Sequence, residues 1–324
     1  MEKIILDCKS KVMNGEKLTS KDAFILFSLE TKKYLLLLMH AANAVRRKYK
    51  GDFVDLCSLV NAKSGSCTED CKFCAQSSHN NAQCTTYPFI GVDAIVKRAR
   101  EVKKIGAHRF CIVTSGNEVS ASEFEQILEA VRIIRNDLKM EMDCSLGYLE
   151  TERILSLKNA GVTRYNHNIE TSPDYFKKIC TTHTFEKRLE TIKSVTEFGM
   201  ERCCGGIIGM GETQNDRIEL ALLLQNMEIE CIPINILNPR HGTPLEKTES
   251  LPPLEILKII SIFRLLNPKS TIKIAGGREH NLRSLQAMSL LAGGNGFIIS
   301  GYLTTSGQPI EADFNMLKDL ELDF

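Results

Sequence analysis

Three cysteines crowd into one short segment of the chain. Cys67, Cys71 and Cys74 follow the spacing C-x₃-C-x₂-C within the run NAKSGSCTEDCKFCAQSS. Thiolates are the ligands that soft transition-metal centres prefer, and three thiols in such a short stretch are hard to explain as packing. A loop that wraps round could turn all three toward one ion or cluster. The segment therefore predicts a metal centre.

Two kinds of centre are compatible with this segment. A structural zinc ion normally takes four protein ligands, and His79 could complete a Cys₃His set, although the spacing is not a usual zinc pattern. A four-iron cluster held by only three cysteines leaves one iron open to a small molecule. Electron-carrying ferredoxins instead ligate their clusters with four cysteines. The three-cysteine count therefore favours a catalytic iron–sulfur cluster.

Composition limits what surrounds this centre. The 324 residues carry 12 cysteines and a formal net charge of +1. That balance argues against a nucleic-acid binder that works by bulk positive charge. Dense disulfides belong to small secreted domains, and the start of the chain, MEKIILDCKS, lacks the apolar stretch of a signal peptide. No apolar run approaches the roughly 20 residues of a membrane span. We therefore expect reduced thiols or metal ligands in the cytoplasm.

The elements that must position the centre alternate along the chain. Residues 1–50 predict a helical extension. After it, eight short strand-like runs alternate with amphipathic helical stretches, which indicates a parallel sheet. Eight is the number that closes a (β/α)₈ barrel, also called a TIM barrel, whose chemistry sits where the strands end. We predict one domain, with a catalytic barrel over 51–324. The predicted strands are 53–62, 109–115, 140–147, 164–170, 202–210, 231–238, 271–276 and 296–303.

Further cysteines lie within the predicted strands. Side chains alternate between the two faces of a strand, so Cys111, Cys144 and Cys203 could all point into one barrel from different strands. Free cysteine is also among the most buried residue types, so packing alone is the plainer explanation of each. Cys57 and Cys231 stay open as further metal ligands. Cys204, next to Cys203, should face the opposite way and pack.

The cysteine motif, with Phe73 before its third cysteine, resembles that of the radical S-adenosylmethionine (SAM) enzymes. Within that superfamily, the chain is similar to the biotin synthase family from about residue 50 to 320. The similarity is carried by NAKSGSCTEDCKFCAQSS, RFCIVTSG, RYNHNIETS, CCGGIIGMGET, PINILNPRHGTPL, GGREHNLRSLQAM and GYLTTSGQ. It implies SAM-dependent insertion of sulfur into dethiobiotin, a sulfurtransferase reaction.

The resemblance also implies ligands for two clusters. Cys67, Cys71 and Cys74 would hold a [4Fe–4S] cluster whose open iron binds SAM. Cys111, Cys144, Cys203 and Arg278 would hold a second, [2Fe–2S] cluster that donates sulfur. Arginine is an unusual ligand because its guanidinium stays protonated, and only the family pattern suggests it. A four-iron second cluster that uses Cys57 or Cys231 is an alternative.

Further residues match the family's SAM and substrate positions. SAM contacts would come from Phe73, Asn168, Glu170, Arg188, Gly205, Ile207, Gly209 and Glu212. Substrate contacts would come from Lys63, Asn166, Asn235, Thr304 and Thr305. Glu170 departs from the Asp or Asn usual in the family. The implied partners are a flavodoxin- or ferredoxin-type electron donor, the iron–sulfur assembly machinery and a second copy of the chain, with no nucleic acid and no membrane.

Two other functions compete with this one. Another barrel radical SAM enzyme, of the hydrogenase-cofactor or methylornithine type, need not keep the inner quartet of Cys111, Cys144, Cys203 and Arg278. A non-catalytic zinc or iron–sulfur protein would need neither the polar strand with Asn166, Asn168 and Glu170 nor the glycine-rich run that starts at Gly205.

Overall fold

The structure, a computed structural model, describes residues 1–324 and begins with three helices. They are α1 (Glu2–Met13), α2 (Ser20–Phe27) and α3 (Thr31–Lys50). A capping box starts α2, because the Thr19 hydroxyl accepts from the Asp22 amide while the Asp22 carboxylate accepts from the Thr19 amide. The helices of this segment lie against α10 (Pro253–Leu266), a helix that is buried along most of its length.

The strands that follow form one closed parallel barrel. They are β1 (Asp55–Lys63), β2 (Arg109–Thr114), β3 (Glu141–Ser145), β4 (Val162–Asn166), β5 (Glu201–Cys203), β6 (Gly206–Ile208), β7 (Cys231–Ile236), β8 (Thr271–Ile274) and β9 (Gly296–Ile298). Every pairing is parallel, in the order β5-β4-β3-β2-β1-β9-β8-β7-β6, and β5 also pairs with β7. Because β5 and β6 are two halves of one barrel strand, the sheet is an eight-stranded (β/α)₈ barrel, as the sequence predicts.

The fifth barrel strand differs from the continuous run predicted over 202–210. It is interrupted at Cys204 and Gly205. There the backbone crosses so close to β7 that a Cβ on Gly205 would lie 2.1 Å from the carbonyl oxygen of Pro233. The Cys204 amide still donates to the Cys231 carbonyl at 2.9 Å, so the barrel stays closed across the interruption.

Helices connect the strands and cover the outside of the barrel. They are α4 (Gly91–Lys104), α5 (Ala121–Ile133), α6 (Thr151–Ala160), α7 (Pro173–Ile179), α8 (Phe185–Glu197), α9 (Gln214–Met227), α11 (Arg278–Leu282), α12 (Gln286–Leu291) and α13 (Ile310–Asp319), besides α10. One continuous apolar core fills the space between the strands and helices. No helix is long and apolar enough to cross a membrane.

A layer of charged side chains closes the barrel where its strands begin. Arg109 Nη1 lies 2.7 Å from Asp143 Oδ1, and the Arg164 guanidinium lies 3.3 Å from Asp55 and 2.8 Å from Glu201. Buried charges are tolerated when they are paired in this way. The layer lies at the end of the barrel opposite the carboxyl ends of the strands.

Candidate active site

A cavity of about 470 Å³ opens at the carboxyl ends of the barrel strands. Side chains from the loop after β1, from the strand ends and from the loop after β9 line it. In parallel α/β barrels this end carries the chemistry, because the loops that vary converge there. The cavity extends inward along the barrel axis as far as Cys57 and Lys273, close to the charged layer.

The three loop cysteines lie together at the mouth of this cavity. Cys67, Cys71 and Cys74 all line it, as does Phe73. The loop is folded back on itself, because the Cys74 amide donates to the Cys71 carbonyl at 3.0 Å. The Asn80 amide group also donates to the carbonyls of Cys71 and Cys74, at 3.1 and 2.9 Å. These hydrogen bonds fix the backbone of the loop around the cysteines.

His79 does not join these thiols. Its ring Nε2 lies 2.9 Å from the Thr68 carbonyl oxygen, and the residue is absent from the cavity wall. The Cys₃His zinc alternative therefore lacks its fourth ligand in this arrangement. The loop itself offers three thiols to the cavity, which fits a cluster with one open iron.

The wall opposite the loop is polar. Asn168, Glu170, Arg188 and Ile207 line the cavity. Arg188 Nη1 donates to the Asn168 carbonyl at 2.8 Å and lies 3.8 Å from Glu170 Oε1. Burial raises the pKa of the Glu170 carboxyl, although the nearby Arg188 charge acts in the opposite direction. Paired acid and guanidinium groups of this kind can receive a zwitterionic ligand such as SAM.

Three further residues predicted to contact SAM lie behind the wall. Gly205, Gly209 and Glu212 do not line the cavity. The Glu212 carboxylate accepts from the amides of Gly209 and Met210, at 2.8 and 2.7 Å, and from Arg217 Nε at 2.7 Å. The Gly205 amide donates to Asn168 Oδ1 at 3.1 Å. These residues shape the wall and orient Asn168.

Several buried polar atoms along the cavity have no partner in the protein. An unpaired buried polar atom is costly, so such atoms indicate where a polar ligand binds. They are Thr114 Oγ1, Tyr148 OH, Asn166 Oδ1, His167 Nε2 and Glu170 Oε2. All five residues line the cavity between the loop thiols and its inner end, so this region fits a polar ligand such as SAM and its substrate.

Four thiols, which we call the inner thiols, gather at the inner end of the barrel. They are Cys57, Cys111, Cys203 and Cys231, on β1, β2, β5 and β7. The first three line the cavity, and Cys231 Sγ lies 3.6 Å from Cys203 Sγ. Burial raises the pKa of Cys57 to about 11 and that of Cys111 well above its usual range. A metal centre bound here would therefore displace protons from Cys57 and Cys111.

The structure does not bring the predicted inner quartet together. Cys111 and Cys203 line the cavity, but Cys144 and Arg278 do not. Cys144 packs in the apolar core, because its neighbour Ser145 takes the face toward the cavity. Successive side chains on a strand point to opposite faces, so the two cannot both point inward.

The Arg278 guanidinium makes its contacts outside the cavity. Its Nη2 lies 2.7 Å from Asp313 Oδ1, its Nη1 donates to Gln286 Oε1 at 2.6 Å, and its Nε donates to Tyr302 OH at 3.1 Å. The guanidinium also lies over the Phe297 ring, 4.6 Å from the centroid. These contacts direct Arg278 to the helices behind β8 and away from the cavity.

Four of the five predicted substrate residues line the cavity, and one does not. Asn166, Asn235, Thr304 and Thr305 line the cavity, and Asn166 Nδ2 lies 3.2 Å from Cys111 Sγ. Lys63 does not line the cavity, because its Nζ is paired with Glu123 Oε1 at 2.9 Å. The substrate set therefore lies between the inner thiols and the mouth, except for Lys63.

Lys273 is a site residue that the sequence analysis did not identify. It lines the inner end of the cavity with 2% exposure, and its Nζ is 4.0 Å from Asp55 Oδ2. Burial lowers the pKa of its ammonium, but negative charge on the sulfurs of Cys231 and Cys57 and on the Asp55 carboxylate outweighs this and raises the pKa well above the usual value. A lysine within the otherwise apolar run TIKIAG is the signal that could have revealed it.

Comparisons with known proteins agree with this geometry. Residues 63–224 match the radical SAM superfamily, and 233–323 match the biotin and thiamin synthesis associated domain. Biotin synthase of Clostridium tetani is 47% identical over 99% of both chains, and that of Carboxydothermus hydrogenoformans is 44% identical over 98% of both. A methylornithine synthase structure superposes with a TM-score of 0.85 over 98% of this chain and 96% of that one. At 23% identity it supports the fold alone. The chain therefore belongs to the biotin synthase family of radical SAM enzymes.

Proposed function

We propose that this chain converts dethiobiotin to biotin by inserting sulfur, using SAM and two iron–sulfur clusters. The observation that carries the proposal is the arrangement inside one barrel. The three loop thiols stand at the mouth of the cavity, four thiols stand at its inner end, and unpaired polar atoms lie between them. Relatives named biotin synthase, alike over almost their whole length, support the same reaction.

The C–H bonds that must react have no acidic proton, so the cofactors supply the difficult chemistry and the protein supplies position and shielding. When bound, the loop cluster and SAM would supply the radical that activates these bonds, and the inner cluster would supply the sulfur. Cys67, Cys71 and Cys74 would hold the first of these groups as a [4Fe–4S] cluster. The closed barrel excludes water and stray hydrogen donors from the space between them.

SAM would lie along the polar wall. Arg188 is suited to its carboxylate, and Asn168 and Glu170 to its ribose hydroxyls and amino group. Ile207 and Phe73 offer apolar contact, and Gly205, Gly209 and Glu212 support this wall from behind. Dethiobiotin would lie deeper, next to Asn166 and Asn235, with Thr304 and Thr305 donating to its carboxylate. Lys63 is paired with Glu123 and would not contact the substrate directly.

For the second cluster we propose the inner thiols as ligands. The sequence resemblance suggested a [2Fe–2S] cluster on Cys111, Cys144, Cys203 and Arg278. The side chains favour Cys57, Cys111, Cys203 and Cys231, because the first three line the cavity, Cys231 Sγ contacts Cys203 Sγ, and none of them packs in the apolar core. Four thiols match a four-iron cluster. Lys273 beside them offsets negative charge.

Reconstitution tests the reaction directly. Anaerobic protein is loaded with iron and sulfide and then given SAM, a reductant and dethiobiotin. We expect both 5′-deoxyadenosine and biotin. 5′-Deoxyadenosine without biotin would refute sulfur insertion and favour a different barrel radical SAM activity, of the methylornithine or hydrogenase-cofactor type. The absence of both products would refute radical SAM chemistry.

Single cysteine variants test the inner ligands. Cys57→Ala and Cys231→Ala should lower the iron content and change the Mössbauer spectrum of the inner cluster. Cys144→Ala is the matched control, because it also removes a fully buried strand thiol, and it should keep both. If Cys144→Ala loses the inner cluster and Cys231→Ala keeps it, the quartet drawn from the resemblance is correct.

The wider context is also proposed. Residues 1–50 form an extension to a catalytic domain over 51–324. A flavodoxin- or ferredoxin-type protein would donate the electron, the iron–sulfur assembly machinery would load the clusters, and the enzyme would act as a homodimer in the cytoplasm. These proposals rest on the family resemblance.

A further inference from the structure

A further thiol lies beside the loop cysteines. Cys180, at the end of α7, is 3% exposed and places its Sγ 3.8 Å from Cys71 Sγ. The ring of His183 follows, with Nδ1 3.3 Å and Nε2 3.7 Å from the same Sγ. Donor atoms of the three residues all lie within 4.8 Å of one another. The reaction proposed above uses neither Cys180 nor His183.

These separations match the edges of a tetrahedral coordination shell. Bonds of about 2.3 Å to sulfur and about 2.0–2.1 Å to nitrogen imply a sulfur–sulfur edge near 3.8 Å and a sulfur–nitrogen edge near 3.5 Å. The Cys71–Cys180 distance is 3.8 Å, and Cys180 Sγ lies 3.7 Å from His183 Nε2, close to the second value. Two thiolates and one imidazole, with a water molecule as fourth ligand, are a donor set typical of zinc.

The neighbours orient the imidazole for this role. His183 Nδ1 lies 2.5 Å from Glu69 Oε2, so this nitrogen donates its proton to the carboxylate and Nε2 keeps its lone pair. Arg188 Nε donates to that lone pair at 3.0 Å, and a bound zinc ion would replace this hydrogen bond. A carboxylate behind a histidine is the usual outer contact of a zinc ligand. Asp70 Oδ1, 3.2 Å from Cys180 Sγ, adds negative charge that offsets Arg188.

The same geometry cannot persist once a cluster is bound. Each cysteine-bound iron of a four-iron cluster already has three sulfides and one thiolate, so the iron on Cys71 has no place for a second thiolate. Two thiols 3.8 Å apart therefore suit one shared ion, not one corner of a cluster.

We propose that Cys71, Cys180 and His183 bind one Zn²⁺ ion in the chain before the loop cluster assembles, and that the ion and the cluster exclude each other. The exclusion rests on the proposed role of Cys71 as a cluster ligand, whereas zinc binding itself does not. The site makes the chain sensitive to zinc during assembly, because an occupied Cys71 is unavailable to iron.

Cobalt titration tests the ion site in the full chain without its clusters. Co²⁺ gives intense d–d bands in a tetrahedral site and a charge-transfer band when thiolates bind it. Cys180→Ala and His183→Gln should weaken Co²⁺ binding at least ~10- to 100-fold, the range seen even for outer-shell changes at metal sites. Cys84→Ala and His79→Gln are matched controls from the same region and should bind as the parent does.

Each outcome decides whether Cys71, Cys180 and His183 form the ion site. Parent-like Co²⁺ affinity and spectrum in Cys180→Ala and His183→Gln would overturn it. Loss in His79→Gln alone would transfer the ion to a Cys₃His set on the loop. Circular dichroism of each variant shows whether it is folded, and Cys180→Ser provides a second, nearly isosteric change if alanine disturbs the loop.

Competition tests the exclusion. The parent is preloaded with one equivalent of Zn²⁺ and then reconstituted with iron and sulfide. We expect Zn²⁺ to suppress cluster formation in the parent, followed by iron content and Mössbauer spectroscopy, and to affect Cys180→Ala much less. Equal rates with and without zinc in the parent would overturn the exclusion. Biotin formation by zinc-free, reconstituted Cys180→Ala reports separately on the proposed function.

Discussion

The buried pair of Arg278 and Asp313 predicts that this arginine holds the fold and does not bind a cluster. The two side chains are each 1% exposed, and Arg278 Nη2 lies 2.7 Å from Asp313 Oδ1. We expect Asp313→Ala to destabilise the protein, because removing one partner of a buried ion pair leaves the other charge without compensation. Such changes cost about 3–5 kcal/mol.

Details of the contact place the loss at the lower end of that range. Glu279 Oε1 lies 3.5 Å from the same Nη2 and would compensate in part, and the hydrogen bonds to Gln286 and Tyr302 would remain. We therefore expect a loss of about 3 kcal/mol. An unfolding entropy of roughly 2.1 cal/mol/K per residue, over 324 residues, converts this into a fall in Tm of about 4–5 °C.

The assay compares three variants by anaerobic calorimetry and Mössbauer spectroscopy. Arg278→Met should lower Tm but leave the inner cluster's spectrum unchanged. Arg278→Met combined with Asp313→Leu should recover much of the loss, because an apolar pair can replace a buried ion pair. The reasoning is refuted if Asp313→Ala keeps the parental Tm, or if Arg278→Met keeps Tm and loses the inner cluster.

Three further predictions concern the site and its supports. Lys273→Met should lower the reduction potential of the inner cluster by on the order of 100 mV, since a buried positive charge is removed. Lys258 is another buried lysine, and Lys258→Met should leave this potential unchanged. Burial holds the pKa of His167 well below 6.5, so the free energy of unfolding of the parent should fall as pH drops below about 6.5, by up to ~1.4 kcal/mol per pH unit. In urea unfolding, the difference in stability between the parent and His167→Phe should therefore shrink between pH 7.5 and about pH 5.5. Gly205→Ala should clash with a carbonyl 2.1 Å from the new Cβ and impair folding, whereas Gly15→Ala, with open space, should cost only about 1–2 kcal/mol for its positive φ.

Each of these has a contrary outcome. An unchanged potential in Lys273→Met would separate the lysine from the cluster. A pH-independent stability difference between the parent and His167→Phe would show that the imidazole titrates normally in the folded protein. A soluble Gly205→Ala protein with the parental Tm would show that the interruption of the fifth strand does not need glycine.

Much of the site could be predicted because its signals are local. Cys67, Cys71 and Cys74 are close in the chain, so any loop that folds back brings them together. The period-two alternation of strands correctly placed Cys111 toward the interior, and with it Asn166. The helix–strand alternation predicted the barrel, because each strand and helix must bury an apolar face against the next.

Where the side-chain positions differ from the predicted quartet, exact strand positions decide. The face taken by Cys144 depends on where β3 starts and how it pairs with β2, where Cys111 lies opposite Asp143 and Ile112 opposite Cys144. Arg278 lies beyond the end of β8, so strand parity no longer applies to it. Lys273 stands out in the sequence only as a charged side chain in an apolar strand, because its buried partners Cys57, Cys231 and Asp55 come from other strands.

The sequence by itself determined the barrel, the cysteine loop and the family, since these follow from short-range spacing and from patterns repeated along the chain. Only the tertiary structure decided which distant thiols meet. Cys57 and Cys231 come from strands far apart in the chain, and they join Cys111 and Cys203 because barrel closure brings their strands together. Cys180 approaches Cys71 in the same way, across 109 residues. Contacts between residues remote in sequence depend on strand register and barrel closure, which no local pattern encodes.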